Sequence, residues 1–274
     1  MPMVFVLSLL NRIFDLMFRP LETLAPLWVL LIVSVVTGLL LVLAFRFASD
    51  QKKIRVVKDR VQAHVLEVRL FRDEFRAIAR AYGRLLRAVG AYLRLSLKPL
   101  LVLLVPLILV FIQIDMRLGW RPLEPNENFI VKAKFADAAR LSDVALRLPA
   151  GLMLTAPPVR VPADKEIAWR VSAQRKGRYE IAVAVGDREF AKQVVVDSRV
   201  APVSARRVRA RGVGWLLEMG EAPLPSDAPL QSIEVRYLPR AINFGLIEAG
   251  WVVPFFVFSL LVGYAAKGLL GAEI

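Results

Sequence analysis

Hydrophobic residues in this chain are concentrated in three long runs. Residues 26–45 form a stretch of twenty positions without a charge, and residues 97–114 and 246–264 form two further runs that each carry one charged side chain. At about 1.5 Å per residue, a helix of about twenty residues crosses a hydrocarbon core of about 30 Å. The three runs are therefore predicted to be transmembrane helices.

The segment between the first two runs has a helical pattern. Its apolar residues recur at steps of three or four from Ile54 to Tyr92, which is typical of helices that pair along an apolar seam. A single helix of this length would carry the chain about 65 Å from the membrane, yet the next run begins at Lys98. The segment is therefore predicted to fold back as an antiparallel hairpin, with the reversal near residues 69–76 and Asp73 as a helix cap.

Beyond residue 119 the pattern changes to alternation of apolar and polar residues. Short alternating stretches are separated by turns rich in Pro, Gly and Asp, and they cover residues 129–135, 144–148, 167–171, 179–185, 190–196 and 233–237. Strands of this length and spacing predict an antiparallel β-sandwich. Trp169 and Trp215 are expected in its core. The arginine cluster 206, 207, 209 and 211 favours a charged edge strand, with anionic lipid binding as the alternative.

The N-terminal stretch 4–18 is apolar nearly all round, except for Asn11, Arg12 and Asp15 on one face. It is too short to cross a bilayer and lacks the basic start and small-residue cleavage site of a signal peptide. We predict an amphipathic helix in the membrane interface, with a buried or partly inserted helix as the alternative.

Charge predicts the orientation of these segments. Hydrophobic residues make up 57% of the chain and its mean hydropathy is +0.52, which excludes an ordinary soluble domain. Between Arg46 and Lys98 there are 14 basic and 5 acidic side chains, so a net charge of about +9 out of +14 lies in the hairpin. The positive-inside rule then places the hairpin in the cytoplasm. Basic charge beside membrane spans reflects topology and anionic lipid, so specific DNA binding is not expected.

The side chains available for chemistry are few. The chain has no cysteine and a single histidine, His64, which excludes disulfides, thiolate sites and multi-histidine metal sites. No carboxylate pair, glycine-rich phosphate loop or serine elbow stands out in the alternating region. The sequence therefore predicts no enzyme, no cofactor and no metal site.

The predicted fold class is an α-helical integral membrane protein with three transmembrane helices, a cytoplasmic antiparallel coiled-coil hairpin and an inserted extracytoplasmic β-sandwich. The expected location is the bacterial cytoplasmic (inner) membrane, with the N-terminus and β-domain outside and the hairpin and C-terminus inside. The predicted segments are the interfacial helix 1–20, spans 21–46, 98–117 and 243–267, the hairpin 47–97, the β-sandwich 118–242 and the tail 268–274.

This arrangement resembles a known family. The junction Phe45-Arg46-Phe47-Ala48-Ser49-Asp50-Gln51-Lys52-Lys53 places an arginine at the inner end of the first span, followed by Ser-Asp and lysines. It is similar to the YidC/Oxa superfamily of membrane-protein insertases, especially the branch of archaeal YidC-like proteins and the insertase subunit of the ER membrane protein complex. The resemblance covers residues 1–117 and 243–274. The β-sandwich is an insertion, and the chain lacks the mid-membrane charge of YidC.

The resemblance implies a hydrophilic groove for client segments, with Ser34, Thr37 and Gln113 on its floor and Arg46 at its entrance. It also implies a cytoplasmic surface for the client or the ribosome, formed by Lys52, Lys53, Arg55, Arg69, Arg72 and Arg76. The partners expected are client membrane proteins and the lipid bilayer, with the ribosome, another membrane subunit or a second copy as further candidates. A local alternative is that Ser34 and Thr37 bond back to their own helix beside the close-packing Gly38.

A second reading of the whole chain is a membrane-anchored scaffold or signal transducer, whose outer β-domain binds an envelope partner. The two readings differ in where the polar residues of the spans point. An insertase requires them in a groove open to lipid and cytosol, whereas a scaffold would seal them between helices. A channel would need a polar stripe along the full membrane depth, which these spans do not supply.

Overall fold

The protein combines helices with β-sheets, as the sequence predicts. A computed structural model describes residues 2–70, 75–137, 141, 143–210, 218, 220–245 and 247–271 of the 274-residue chain. The chain divides into two compact units. The β-rich unit comprises Met1–Leu30 and Phe111–Trp251, and the helical unit comprises Leu31–Val110 and Val252–Ile274. Each unit is described by itself below.

The helical unit is built from four helices, two of which continue into the other unit. They are α2 (Pro26–Ala48), α3 (Gln51–Leu70), α4 (Phe75–Ile114) and α5 (Val252–Ala266). The chain breaks between α2 and α3 at Ser49-Asp50, where Asp50 Oδ1 accepts a hydrogen bond of 3.2 Å from the backbone N–H of Lys53. Aspartate favours the N-cap position for this reason, so the sequence starts a new helix here.

The two arms of the basic hairpin, α3 and α4, meet through Glu67 and Arg84. Arg84 Nε donates to Glu67 Oε2 over 3.3 Å, although the two residues are 17 positions apart. His64 Nδ1 lies 3.0 Å from the same carboxylate oxygen. The hydrogen bonds to His64 and then to Arg84 lower the pKa of Glu67. The predicted reversal and the predicted cap Asp73 fall on residues 71–74, outside the described part of the chain.

Two helical stretches are long and apolar enough to cross a membrane, Pro26–Ala48 and Pro99–Gly119. Only 33% and 28% of their apolar windows are buried, so most of these side chains face outwards. A core helix of a soluble protein would be mostly covered, and exposed apolar surface of this extent is typical of lipid contact.

The third apolar run is a shorter helix than predicted. The predicted span 246–264 is helical only from Val252, because Glu248–Ala249 pairs with Ile242–Asn243 in a small antiparallel ladder. α5 has 15 residues and a length of about 22 Å. Pro254 lies in its first turn, where the missing N–H breaks no helical hydrogen bond.

The β-rich unit begins with α1 (Pro2–Phe18) and a 3₁₀ turn, Arg19–Leu21, and a π-helical turn, Asp115–Gly119, precedes its first strand. Its strands are β1 (Trp120–Arg121), β2 (Asn128–Phe135), β3 (Val144–Arg147), β4 (Leu152–Leu154), β5 (Val159–Val161), β6 (Glu166–Ala173), β7 (Gly177–Val185), β8 (Arg188–Val196), β9 (Arg206–Val208), β10 (Leu230–Val235), β11 (Leu238–Pro239), β12 (Ile242–Asn243) and β13 (Glu248–Ala249).

These strands form two main antiparallel sheets around one core. The larger sheet has the order β4-β6-β2-β10-β9, with β5 also paired to β6, and the smaller has the order β3-β7-β8. The β7–β8 hairpin turns at Gly186, whose φ of +57° favours glycine. Both sheets contribute to a common hydrophobic cluster that contains Trp169, which is 2% exposed. Two sheets that share one core agree with the predicted β-sandwich. Trp215, the other tryptophan expected in this core, lies outside the described residues.

The arginine cluster lies at a sheet edge, since β9 is the last strand of the larger sheet. Arg207 Nε donates to the carbonyl of Ala222 over 2.7 Å, and Arg209 Nη1 donates to the carbonyl of Ala228 over 3.1 Å. Arg211 is not among the described residues. These two arginines satisfy backbone carbonyls of neighbouring loops, which agrees with the edge-strand interpretation.

Candidate functional site

An apolar groove of about 580 Å³ lies between three helices of the helical unit. Its walls come from the second half of α2, from the apolar half of α4 and from α5. The lining residues are Gly38, Leu41, Val42, Phe45, Leu100, Leu103, Leu104, Leu107, Phe256, Ser259, Leu260, Leu261, Gly263, Tyr264 and Lys267. A cavity of this size falls in the range that holds a ligand in other proteins.

The groove extends along only part of the apolar stretches of α2 and α4, whereas it follows most of α5, from Phe256 to Lys267 just beyond its end. On α2 it reaches from Gly38 to Phe45, and on α4 from Leu100 to Leu107, which is about 11 Å of helix axis in each case. A hydrocarbon core measures about 30 Å. The groove therefore covers the part of these helices that adjoins the basic hairpin, and it stops well short of a full crossing.

Two basic side chains lie near the hairpin end of the groove, Lys267 as part of its lining and Arg46 next to the lining residue Phe45. Arg46 Nη1 donates to the carbonyl of Leu270 over 2.7 Å, which joins the end of α2 to the turn after α5. Lys267, in the same turn, lines the groove, and its Nζ lies 3.7 Å from the ring centroid of Tyr264. We call Arg46 and Lys267 the cationic mouth. Neither forms an ion pair with an acidic side chain among the described residues.

Close packing of α2 against α5 closes one side of the groove. A side chain on Gly38 would place its Cβ 2.5 Å from the carbonyl oxygen of Ser259, and one on Gly263 would meet Val42 Cγ2 at 3.2 Å. Small residues let membrane helices approach in this way. The Ser259 hydroxyl donates to the carbonyl of Phe255 on its own helix. Gly38 thus serves packing, as the local interpretation of this face proposes.

The residues predicted for the floor of a hydrophilic groove do not line the apolar groove. Ser34 and Thr37 are buried in the helical unit, with 0% and 6% of their surface exposed. The Ser34 hydroxyl has no hydrogen-bond partner within the described residues, so the interpretation that it bonds back to its own helix is wrong. Gln113 belongs to the β-rich unit. Of the four residues predicted for the groove, only Arg46 adjoins the cavity, through its neighbour Phe45.

Gln113 belongs instead to a polar cluster that we call the arginine network, in which buried Gln113 and Arg117 meet Asn11 and the exposed Asp15. Gln113 Nε2 donates to Asn11 Oδ1 over 2.7 Å, and Arg117 Nη1 donates to Gln113 Oε1 over 2.8 Å. Arg117 Nη2 donates to the Asp15 carboxylate, and its guanidinium carbon lies 4.5 Å from the Phe18 ring centroid. The network fastens α1 to the π-helical turn.

Sequence reasoning missed Arg117 and placed Gln113 on the floor of a hydrophilic groove. The structure corrects this, because Gln113 is 2% exposed. Two positions along the chain, Asp115 Oδ1 accepts a hydrogen bond of 3.2 Å from Trp251 Nε1. One feature of the sequence could have indicated this network, namely that both helices carry two polar residues at the same spacing. Asn11 and Asp15 are four residues apart on one helix, and so are Gln113 and Arg117 on the other, so each pair presents one polar face.

The basic residues predicted for client or ribosome contact lie on the hairpin arms. Lys52, Lys53 and Arg55 are exposed in the first turns of α3. Lys53 Nζ pairs with Asp50 Oδ2 at 2.9 Å, and the hydrogen bond from Lys53 lowers the pKa of Asp50. Arg69 and Arg76 lie in α3 and α4, and Arg72 falls outside the described residues.

The β-rich unit holds a buried ion pair between Lys192 and Glu221. Lys192 is fully buried, and its Nζ donates to Glu221 Oε1 and, over 2.6 Å, to the carbonyl of Ser204. Burial lowers the pKa of Lys192. The ammonium is satisfied by these acceptors, so the pair stabilises the fold and offers no free nucleophile. The described residues contain no group of three His, Cys, Asp or Glu that suits a metal ion.

Comparison of the chain with protein-family models, curated proteins and solved structures finds no match. A function is therefore inferred from the geometry of the groove, of its cationic mouth and of the hairpin.

Proposed function

We propose that the protein is a membrane-protein insertase or membrane chaperone of the YidC/Oxa type. The observation that carries the proposal is the apolar groove, which covers part of the membrane depth and ends at the cationic mouth. α4 is one continuous helix from the hairpin arm to the groove wall, so the basic hairpin leads directly to the groove. A client arriving at the hairpin would meet the groove next.

The groove acts by providing an apolar surface that a client segment enters from water. Burial of apolar surface contributes about 25 cal/mol per Å², so a groove along part of the membrane depth gives part of the insertion energy before the segment reaches lipid. The cationic mouth attracts acidic flanks of the client and repels basic ones. In this scheme Ser34 and Thr37 contribute to the packing of α2. Polar groups of the client are hydrated where the bilayer is locally thinned, which lowers the free-energy cost of moving charged residues through lipid. No covalent chemistry is involved.

The proposed orientation places the hairpin in the cytoplasm and the β-domain outside a bacterial inner membrane. Its support is the net charge of about +9 between residues 46 and 98, next to two helices long enough to cross a bilayer. α5 is the third span, and its 15 residues fit a locally thinned bilayer. The proposed partners are client membrane proteins and lipid, with the ribosome at Lys52, Lys53 and Arg55.

Reconstitution into liposomes tests this function. A single-span client with a short acidic translocated tail is added, and protected tail fragments are counted after protease treatment. We expect wild-type protein to raise insertion over empty liposomes, Arg46→Lys to retain the effect and Arg46→Glu to lose most of it. Insertion equal to that of empty liposomes in the wild-type sample rejects the proposal.

A scaffold or signal transducer is the second candidate. The observation that favours it is the burial of Ser34 and Thr37 within the helical unit. A scaffold is expected to bury the polar residues of its spans between helices. A scaffold would leave client insertion at the level of empty liposomes. It would also retain its envelope partner in Arg46→Glu, because the β-domain alone would bind it.

A further inference from the structure

The cationic mouth carries two positive charges that no described acidic side chain pairs with, and this charge points to a ligand. Asp50, Asp59 and Glu67 are the acidic side chains described in the helical unit. Asp50 pairs with Lys53, and Glu67 pairs with Arg84 and His64. None of the ion pairs among the described residues involves Arg46 or Lys267.

We propose that the apolar groove binds one anionic glycerophospholipid in its resting state. The acyl chains occupy the leucine-lined cavity, and the phosphate lies between Arg46 and Lys267. The inference rests on the proposed function, because it takes the groove to be the working site inside a bilayer.

The two halves of the groove match the two halves of such a lipid. Leu103, Leu104 and Leu107 provide an apolar wall, and no described acidic side chain lines the cavity. Within the described residues Arg46 donates through Nη1 to Leu270, and its other N–H groups can donate to phosphate oxygens. Lys267 adds a point charge whose position is set by the Tyr264 ring. A singly charged anionic lipid neutralises one of the two positive charges at the mouth, whereas a zwitterionic lipid has no net charge and leaves both of them.

The bound lipid has a consequence for the working cycle. A client segment that enters the groove must displace it, and the acidic flank of the client then replaces the phosphate at the mouth. The groove is never open to water in this scheme, so the apolar lining is not exposed between clients.

The test measures lipid retained by the full-length protein, with no client present. Protein reconstituted in nanodiscs of equal phosphatidylglycerol and phosphatidylcholine is transferred to mild detergent, and the bound lipid is counted by native mass spectrometry. We expect about a tenfold preference for phosphatidylglycerol. The double variant Arg46→Gln/Lys267→Gln should bring the ratio close to one, and Lys267→Arg should keep it.

A second pair of variants tests the position of the acyl chains. Leu260→Trp fills the groove and should abolish the retained lipid, whereas Val257→Trp, on the same helix and outside the lining, should leave it in place. Equal retention of both lipids by the wild type, or an unchanged preference in the double variant, overturns the inference. Loss of retention in Val257→Trp to the same degree as in Leu260→Trp overturns it as well. Insertion activity is scored separately, so either proposal can fail alone.

Discussion

Arg117 donates a hydrogen bond to the carboxylate of Asp15 across 102 positions of the chain. The Arg117 side chain is 3% exposed, whereas Asp15 is 54% exposed. The carboxylate thus reaches from the surface to neutralise a buried guanidinium. This contact holds the N-terminal helix against the turn that ends α4.

Removal of Asp15 should destabilise the protein more than its surface position suggests. We expect Asp15→Ala to cost about 1–3 kcal/mol, because it leaves the buried Arg117 without its counter-charge. Arg12→Ala, an exposed position on the same helix, should change stability by less than about 0.5 kcal/mol. Thermal unfolding of the purified protein in detergent, followed by near-UV circular dichroism, measures both.

A double variant separates this pair from a general weakening of α1. In Asp15→Ala/Arg117→Met the buried charge is gone, so the loss should be smaller than the sum of the two single losses by about 1 kcal/mol or more. Strict additivity would contradict the arginine network.

The Lys192–Glu221 pair predicts a pH dependence. Burial lowers the pKa of folded Lys192 below its unfolded value of about 10.4, so the unfolded chain binds more protons in the alkaline range and stability rises with pH there. Glu221→Gln removes the opposing attraction and lowers that pKa further. We expect the variant to be less stable than wild type at pH 7 and to recover as the pH rises to about 10. Unfolding midpoints at a series of pH values test this. If the unfolding midpoints of the two proteins changed with pH in parallel, this account of the Lys192–Glu221 pair would be contradicted.

The hydroxyl of Tyr237 accepts a hydrogen bond of 3.0 Å from the backbone N–H of Val195 inside the sandwich core. Tyr237 is 3% exposed, and burial raises its pKa. Tyr237→Phe leaves the N–H unpaired in an apolar surround, which should cost about 1–3 kcal/mol. Tyr179→Phe provides a control, since its hydroxyl is bonded to the Arg175 carbonyl in an exposed turn. A larger loss in Tyr179→Phe would refute the assignment.

The contact between α2 and α5 predicts a contrast between two glycines. Gly38→Val would force the helices apart, because even a Cβ lies 2.5 Å from the carbonyl oxygen of Ser259, and we expect a loss of about 1–3 kcal/mol. Gly83→Ala, at a half-buried position of α4 where an added Cβ meets nothing within 4 Å apart from its own helix backbone, should gain about 0.5–1 kcal/mol through lower chain entropy. Thermal stability in one detergent compares them. Equal tolerance of both changes would argue against close packing at Gly38.

Local patterns in the sequence were sufficient for most elements. Alternation located β2, β6, β7, β8 and β10, because each of these strands buries one face in the shared core. It did not locate the short strands β4 and β5, whose side chains are largely exposed and carry no alternation. The start of α5 was also missed. Glu248–Ala249 becomes a strand by pairing with a neighbouring segment, and composition alone does not report that choice.

The candidate site was less accessible to sequence reasoning. Arg46 and the hairpin could be found from charge beside an apolar run. The groove itself depends on which faces of three helices converge, and helices that are apolar all round give no periodic signal of their buried side. Arg117 was missed because its partner Asp15 lies on a distant helix.

Site-specific photocrosslinking tests the central claim, that client segments enter the apolar groove. A photoreactive residue is placed at Leu104 in the groove wall or at the adjacent Val105, which is 64% exposed and lies outside the lining. An inserting single-span client is then irradiated. The account predicts strong crosslinks from position 104 and few from position 105. Equal crosslinking from both positions, or none from position 104 while insertion proceeds, would contradict it.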